Sequence, residues 1–96
     1  MPLSKVLQEK REEILRIATR HGARNVRVFG SFVRGEEKPT SDVDFLVDVG
    51  PEHSAWFPVS FKEDLEKALG RRVDVLTPRS IHPHIRDRVL AEAVAL

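Results

Sequence analysis

Residues 26–44 constrain this chain more than any other stretch. An apolar strand pattern closes on Gly30-Ser31, Phe32-Val33-Arg34-Gly35 follows, and after a polar loop the chain reads Ser41-Asp42-Val43-Asp44. Residues two apart on a strand project from one face with Cα atoms roughly 6.5–7 Å apart, so Asp42 and Asp44 point together. Val43, Phe45, Val47 and Val49 then point the other way, which predicts a strand with an apolar side and a carboxylate side. Like charges about 4 Å apart repel by about 4 kcal/mol at an effective dielectric near 20, so the pair calls for something positive between them. A hard divalent cation such as Mg²⁺ takes oxygen ligands and leaves room for water and phosphate oxygens.

The Gly-Ser step supplies the other half of a phosphate site. Gly30 permits a sharp turn and close backbone approach, and Ser31 suits a helix N-cap. A short helix starting there turns the amides of Phe32, Val33 and Arg34 outward as an anion cradle, with Arg34 adding charge and Gly35 ending the turn. Singly, each piece is ordinary. Gly-Ser is a common turn, Asp-x-Asp a common solvated strand edge, and Arg34 equally suits an ion pair with Asp42 or Glu37. Their order and spacing set them apart.

The pattern Gly30-Ser31-x-x-Arg34-Gly35-x5-Ser41-Asp42-x-Asp44 resembles the signature of the minimal nucleotidyltransferases, in the DNA polymerase beta-like nucleotidyltransferase superfamily. The resemblance extends to Arg72-Val73-Asp74-Val75-Leu76, where that family places a third carboxylate. It implies catalytic and metal-binding roles for Asp42, Asp44 and Asp74, and nucleotide binding by Gly30, Ser31 and Arg34. ATP would be the substrate, with one or two Mg²⁺ ions.

At 96 residues the chain makes one domain, residues 1–96, with no room for a second that would hold an acceptor. A partner chain, a further copy or the acceptor itself is therefore expected to complete the site. Sixteen basic and fifteen acidic residues nearly cancel, without the basic excess of a nucleic-acid-binding surface. There is no cysteine, hence no disulfide framework or thiolate chemistry. No apolar run of signal-peptide or membrane-spanning length is found, and a soluble cytoplasmic protein is expected. The phosphate loop of P-loop enzymes and the dinucleotide fingerprint are both missing.

Along the chain, residues 4–21 read as a helix with Val6, Leu7, Ile14, Ile17 and Ala18 near one stripe and Gly22 as its stop. Residues 25–30 form a strand, with Val26, Val28 and Gly30 on one face and Arg27 and Phe29 on the other. The loop at residues 36–40 reads as polar and mobile. Residues 43–49 form a second strand, antiparallel to the first because the connection is short. Asp48 shares the face of Asp44 but lies roughly 13 Å along, outside the site. His53 reads as a loop residue, and Trp56 as a packing or interface residue rather than a base-stacking one. A helix at residues 59–69, with Phe61, Leu65, Ala68 and Leu69 inward, then crosses to a third strand at 72–76, parallel to the second. A last helix is predicted over residues 81–94, with Ile81, Ile85, Val89 and Ala93 on one face and Pro83 in its first turn. His82 and His84 are two apart, the wrong spacing to share a helical face around a metal. The fold class is therefore α/β of the α+β kind, α-β-α-β-α-β-α, with a three-stranded mixed sheet covered by helices.

The chemistry implied is attack of an acceptor hydroxyl on the α-phosphate of a nucleoside triphosphate, with Asp74 helping to hold a cation or accepting the hydroxyl proton. Small members of the family commonly act as antitoxins beside a helical HEPN-type toxin, onto whose tyrosine they transfer AMP. This chain contains no tyrosine, so such an acceptor would lie in trans. Two other readings stand beside this one: a noncatalytic antitoxin or regulatory subunit that keeps the fold, and a transferase acting on a small molecule.

Overall fold

In the computed structural model, residues 5–36, 38–50 and 57–96 are described. The order is α1 (Lys5–Arg20), β1 (Ala23–Phe29), α2 (Ser31–Arg34), β2 (Val43–Val49), α3 (Phe57–Leu69), β3 (Val73–Leu76), a 3₁₀ turn (Pro78–Ser80), α4 (Pro83–Glu92) and β4 (Val94–Ala95). The sheet order is β3-β2-β1-β4, with β1 antiparallel to both β2 and β4 and β2 parallel to β3. The antiparallel first pair and the parallel crossover are those the loop lengths predict.

The sheet has four strands rather than three. Residues 93 and 94 were expected to belong to the last helix, but Ala93 leaves it with extended backbone, and Val94 and Ala95 pair with Val28 and Arg27 of β1. Two residues are too few for alternation to show in a sequence, and the free edge of β1 supplies the hydrogen bonds that decide the matter.

One face of the sheet carries the larger core. Val43, Phe45 and Val47 of β2 are fully buried there, under Leu7 and Ile14 of α1 and Phe61 of α3. In α1 the buried residues Leu7, Ile14, Ile17 and Ala18 fall on one stripe, as the 3.6-residue period requires. His21, just after α1, is joined to Asp64 in the middle of α3, with Nε2 and Oδ2 at 2.7 Å. The hydrogen bond from His21 holds the Asp64 carboxyl below its ordinary value. α3 begins at Phe57, ahead of the predicted residue 59, because Phe57 stacks on Phe61 at 5.3 Å and is buried, while Val59 is exposed. His53 and Trp56 lie outside the described residues.

The opposite face is not purely a carboxylate face. Leu46, between Asp44 and Asp48, is fully buried with Phe29, Ile81 and Val89 in a second apolar cluster. Ile81 precedes α4 instead of belonging to it, and Ile85 faces solvent. β1 starts at Ala23, two residues earlier than predicted, because a bulge between Arg24 and Arg27, with Asn25 at φ 52°, absorbs an extra residue. From Val26 onward the predicted alternation holds. Asp48 is taken by Arg27 at 2.9 Å and Asn25 at 3.1 Å. Among the described residues no helix is long and apolar enough to cross a membrane.

Phe45→Ala should cost about 3–5 kcal/mol, a large part of the roughly 5–10 kcal/mol that holds a domain of this size. Urea denaturation followed by circular dichroism measures it, and a loss under about 1 kcal/mol would contradict the packing described.

Candidate active site

Three strand ends meet at one end of the sheet. Because β1 runs against β2, its last residue Phe29 pairs with Asp44 near the start of β2, and parallel pairing sets Asp44 beside Asp74 of β3. Paired residues on neighbouring strands share a face, so Asp74 lies on the side of Asp44, as predicted. Asp44 is partly buried and Asp74 is exposed.

Gly30 follows Phe29 with φ 83°, a conformation that side-chain-bearing residues rarely adopt. A Cβ built there would overlap the Asp44 carboxylate. The glycine is thus required both for the turn and for the close approach of the Gly30-Ser31 backbone to Asp44. The one-turn helix α2 begins here, and Gly35 closes it in the left-handed conformation with its amide on the Ser31 carbonyl. Gly30, not Ser31, is the N-cap, and no side chain caps this turn. The amides of Val33 and Arg34 both donate to the Gly30 carbonyl, at 3.0 and 3.1 Å, because a helix this short closes its bonds onto its cap. Of the three amides expected to face outward, only that of Phe32 is left outside those bonds, together with that of Ser31.

Arg34 does not pair with Asp42. Its Nε donates to Glu36 Oε1 and its Nη1 to Glu92 Oε1, both at 2.8 Å, and the two carboxylates, Glu36 foremost, push its pKa further up. Glu37 lies outside the described residues. Glu92, at the end of α4, also accepts the Gly30 amide through Oε2 at 2.8 Å. Burial acts to raise the Glu92 carboxyl, but the hydrogen bonds from Arg34 and the Gly30 amide outweigh it and hold it below the usual range. Nothing in the residues around position 92 signals this role, because the contact exists only once β4 brings the end of α4 back to the site.

Residues 38–42, ahead of β2, are tied by several hydrogen bonds. Ser41 Oγ accepts the Lys38 amide at 2.8 Å and the Ser41 amide returns to the Lys38 carbonyl at 2.9 Å. Arg71 donates to the carbonyls of Lys38 and Pro39 while its guanidinium lies 5.1 Å from the centre of the Phe32 ring. Its neighbour Arg72 donates to Asp42 Oδ1 at 3.3 Å.

Burial, followed by the negative charges of Asp74 and Asp42, pushes the Asp44 carboxyl up to about 6. The carboxylates do not converge into a ready cation site: among the described residues no three His, Asp or Glu side chains are grouped to hold a metal ion. Asp42 instead faces Arg72. The donor set nevertheless suits a hard cation, because carboxylate oxygens are its preferred ligands and the charges that raise Asp44 would be relieved by one.

The chain matches the nucleotidyltransferase domain family over residues 7–96. It is 46% identical over 88 residues to a candidate protein adenylyltransferase of Methanocaldococcus jannaschii, covering 92% of this chain and 95% of that protein. It is 43% identical over 91 residues to the protein adenylyltransferase MntA of Thermococcus cleftensis, covering 86% and 92%. The solved structure of a candidate minimal nucleotidyltransferase superposes with a TM-score of 0.85 at 41% identity, covering 96% of this chain and 94% of that one. A fold likeness alone, at 18% identity and a TM-score of 0.69, links it to a chain in the complex of a tri-AMPylated Shewanella oneidensis HEPN toxin with its MNT antitoxin, covering 92% and 69%.

Because the folded-state value of Asp44 lies above the ordinary 3.8, the fold favours its protonated form. That contribution is fully present below about pH 4 and is lost as pH rises through about 6. Asp44→Asn should therefore stabilise the ligand-free protein at pH 7 by roughly 1 kcal/mol, after discounting for partial exposure to solvent, and raise Tm by about 4–8 °C. Thermal melts of both proteins from pH 4 to 7 test this. A variant less stable than wild type at pH 7 would contradict the charge crowding.

Proposed function

The chain belongs to the nucleotidyltransferase domain family, and we propose that it transfers AMP from ATP to a hydroxyl of a partner protein. The observation that carries this reading is the seat of the Gly30-Ser31 turn directly against Asp44, with Asp74 in register beside it. A phosphate-holding turn and a carboxylate face on one sheet end are the two halves such a reaction needs. The protein acceptor and the adenylyl group rest on the naming of the relatives as adenylyltransferases.

In the reaction the acceptor oxygen forms a bond to the α-phosphorus, the bond from that phosphorus to the bridging oxygen breaks, and pyrophosphate leaves. The amides of Ser31 and Phe32, the Ser31 hydroxyl and the Arg34 guanidinium hold phosphate oxygens, which fixes the α-phosphate in line with the acceptor. Asp74, exposed beside Asp44, accepts the hydroxyl proton. Mg²⁺ held by Asp42, Asp44 and Asp74 would supply charge neutralisation for the leaving pyrophosphate and a lowered pKa for the attacking hydroxyl. Arg72 keeps Asp42 paired until that carboxylate is needed.

The acceptor class we assign is a hydroxyl on a HEPN-type toxin, with this chain as its antitoxin. The fold likeness to an antitoxin-complex chain and the naming of the Thermococcus relative favour it over a small-molecule acceptor. The lack of tyrosine places a tyrosine acceptor on the other protein.

Mixing the protein with labelled ATP, Mg²⁺ and a co-purifying or genetically adjacent partner should add mass to that partner, the proposed toxin, in steps of one AMP. Asp42→Asn and Asp44→Asn should each cost at least about 100-fold in rate, the scale of a lost base or electrostatic contact, while still binding the toxin. Equal labelling by the variants would defeat the site assignment. Toxin that stays unlabelled yet is silenced by wild type and variants alike would establish the noncatalytic reading.

A further inference from the structure

α4 is tied down at its far end. Directly after Glu92, residue 93 turns into β4, whose pairing with Arg27 and Val28 anchors the end of the helix to the sheet beside the site. From that anchored position the Glu92 carboxylate forks, with one oxygen on the Gly30 amide and the other on Arg34 Nη1, each at 2.8 Å. Glu36 holds the Nε edge of the same guanidinium. A guanidinium has five N–H donors, so two braces leave donors for a further anion. The burial is graded in the same sense: the Glu92 side chain is 18% exposed and the Arg34 side chain 46%.

Resting on the nucleotidyltransferase reading, we propose that Glu92 is a positioning residue. It sets Arg34 and the Gly30 turn in the arrangement in which they receive the triphosphate. An unbraced arginine has many rotamers, and it would give up that freedom each time it bound phosphate. With Glu92 and Glu36 in place, that freedom is already lost on folding. The Gly30 amide matters for the same reason. Its peptide lies against Asp44, so a shift of this turn would move the phosphate cradle and the carboxylate face apart.

The opposite role, a carboxylate that occupies the phosphate position and must be expelled, predicts the opposite sign. Such a plug should be the exposed, displaceable member of the pair. Glu92 is instead the more buried one, and it rises from a backbone fixed by strand pairing.

The test is the affinity of the full chain for α,β-methylene ATP with saturating Mg²⁺, by calorimetry. The proteins are wild type, Glu92→Gln, Glu92→Ala, Arg34→Ala and the Arg34→Ala/Glu92→Gln double variant. Glutamine keeps an acceptor for the Gly30 amide and loses the charge that holds Arg34, and the Arg34→Ala background isolates the part of its effect that passes through Arg34. Glu92→Gln should weaken binding by about 10-fold, the scale of coupling between groups in one network, and Glu92→Ala by more. In the Arg34→Ala background the glutamine substitution should have no further effect. Unchanged or tighter binding by Glu92→Gln, or an equal loss in the Arg34→Ala background, would overturn the positioning role alone. Wild type that binds no analogue would overturn the transferase reading and this role with it. Should Glu92→Ala fail to fold, the glutamine variants still decide.

Discussion

Repulsion among carboxylates at one end of the sheet is the constraint around which this structure is arranged. Asp44 lies beside Asp74, because parallel pairing holds the two strands in register, and it is partly buried with the Gly30 turn close against it. The consequence is a carboxyl whose pKa is driven up to about 6 by burial and by its acidic neighbours. A fold normally removes such crowding, since a buried carboxylate without a partner opposes stability. Perturbed carboxyls of this kind gather at functional sites, which accords with the role proposed for Asp44.

The rest of the molecule makes that crowding tolerable. The larger core, on the far face of the sheet, supplies apolar burial under α1 and α3 and takes in Phe32 of α2, so it also seats the turn at Gly30. The smaller cluster of Phe29, Leu46, Ile81 and Val89 then seals the near face just beyond the acidic end. β4 completes the frame by returning Glu92 to the Gly30 turn, so the last strand of the chain and its central motif are one mechanical unit. Basic residues are distributed to match: Arg72 on Asp42, Arg34 between Glu36 and Glu92, and Arg71 pinning the loop that leads into β2.

In this chain of the nucleotidyltransferase domain family, the Gly30-Ser31 turn and an acidic face stand together. Both lie on adjoining strand ends, so no second domain is needed to bring them into proximity.

Much of this was legible before any coordinates. Alternation put Asp44 on the face away from Val43 and Phe45, the loop lengths set the strand directions, and Gly30 was singled out as the turn, because each of these is governed by neighbours a few residues away, whereas Asp42 lies just ahead of β2 and faces Arg72. What could not be read was whatever depends on residues distant in the chain. Ser31 has the chemistry of an N-cap, yet contact with Asp44 makes Gly30 the cap. Leu46 sits between two aspartates, yet α4 buries it. Residue 94 reads as the end of a helix, yet the open edge of β1 makes it, with residue 95, a strand. Glu92 has no local signature at all, and its part in the site exists only because that strand forms. Local backbone preference and side-chain period are properties of a segment, whereas burial, charge pairing and edge closure are settled by what the folded chain brings alongside it.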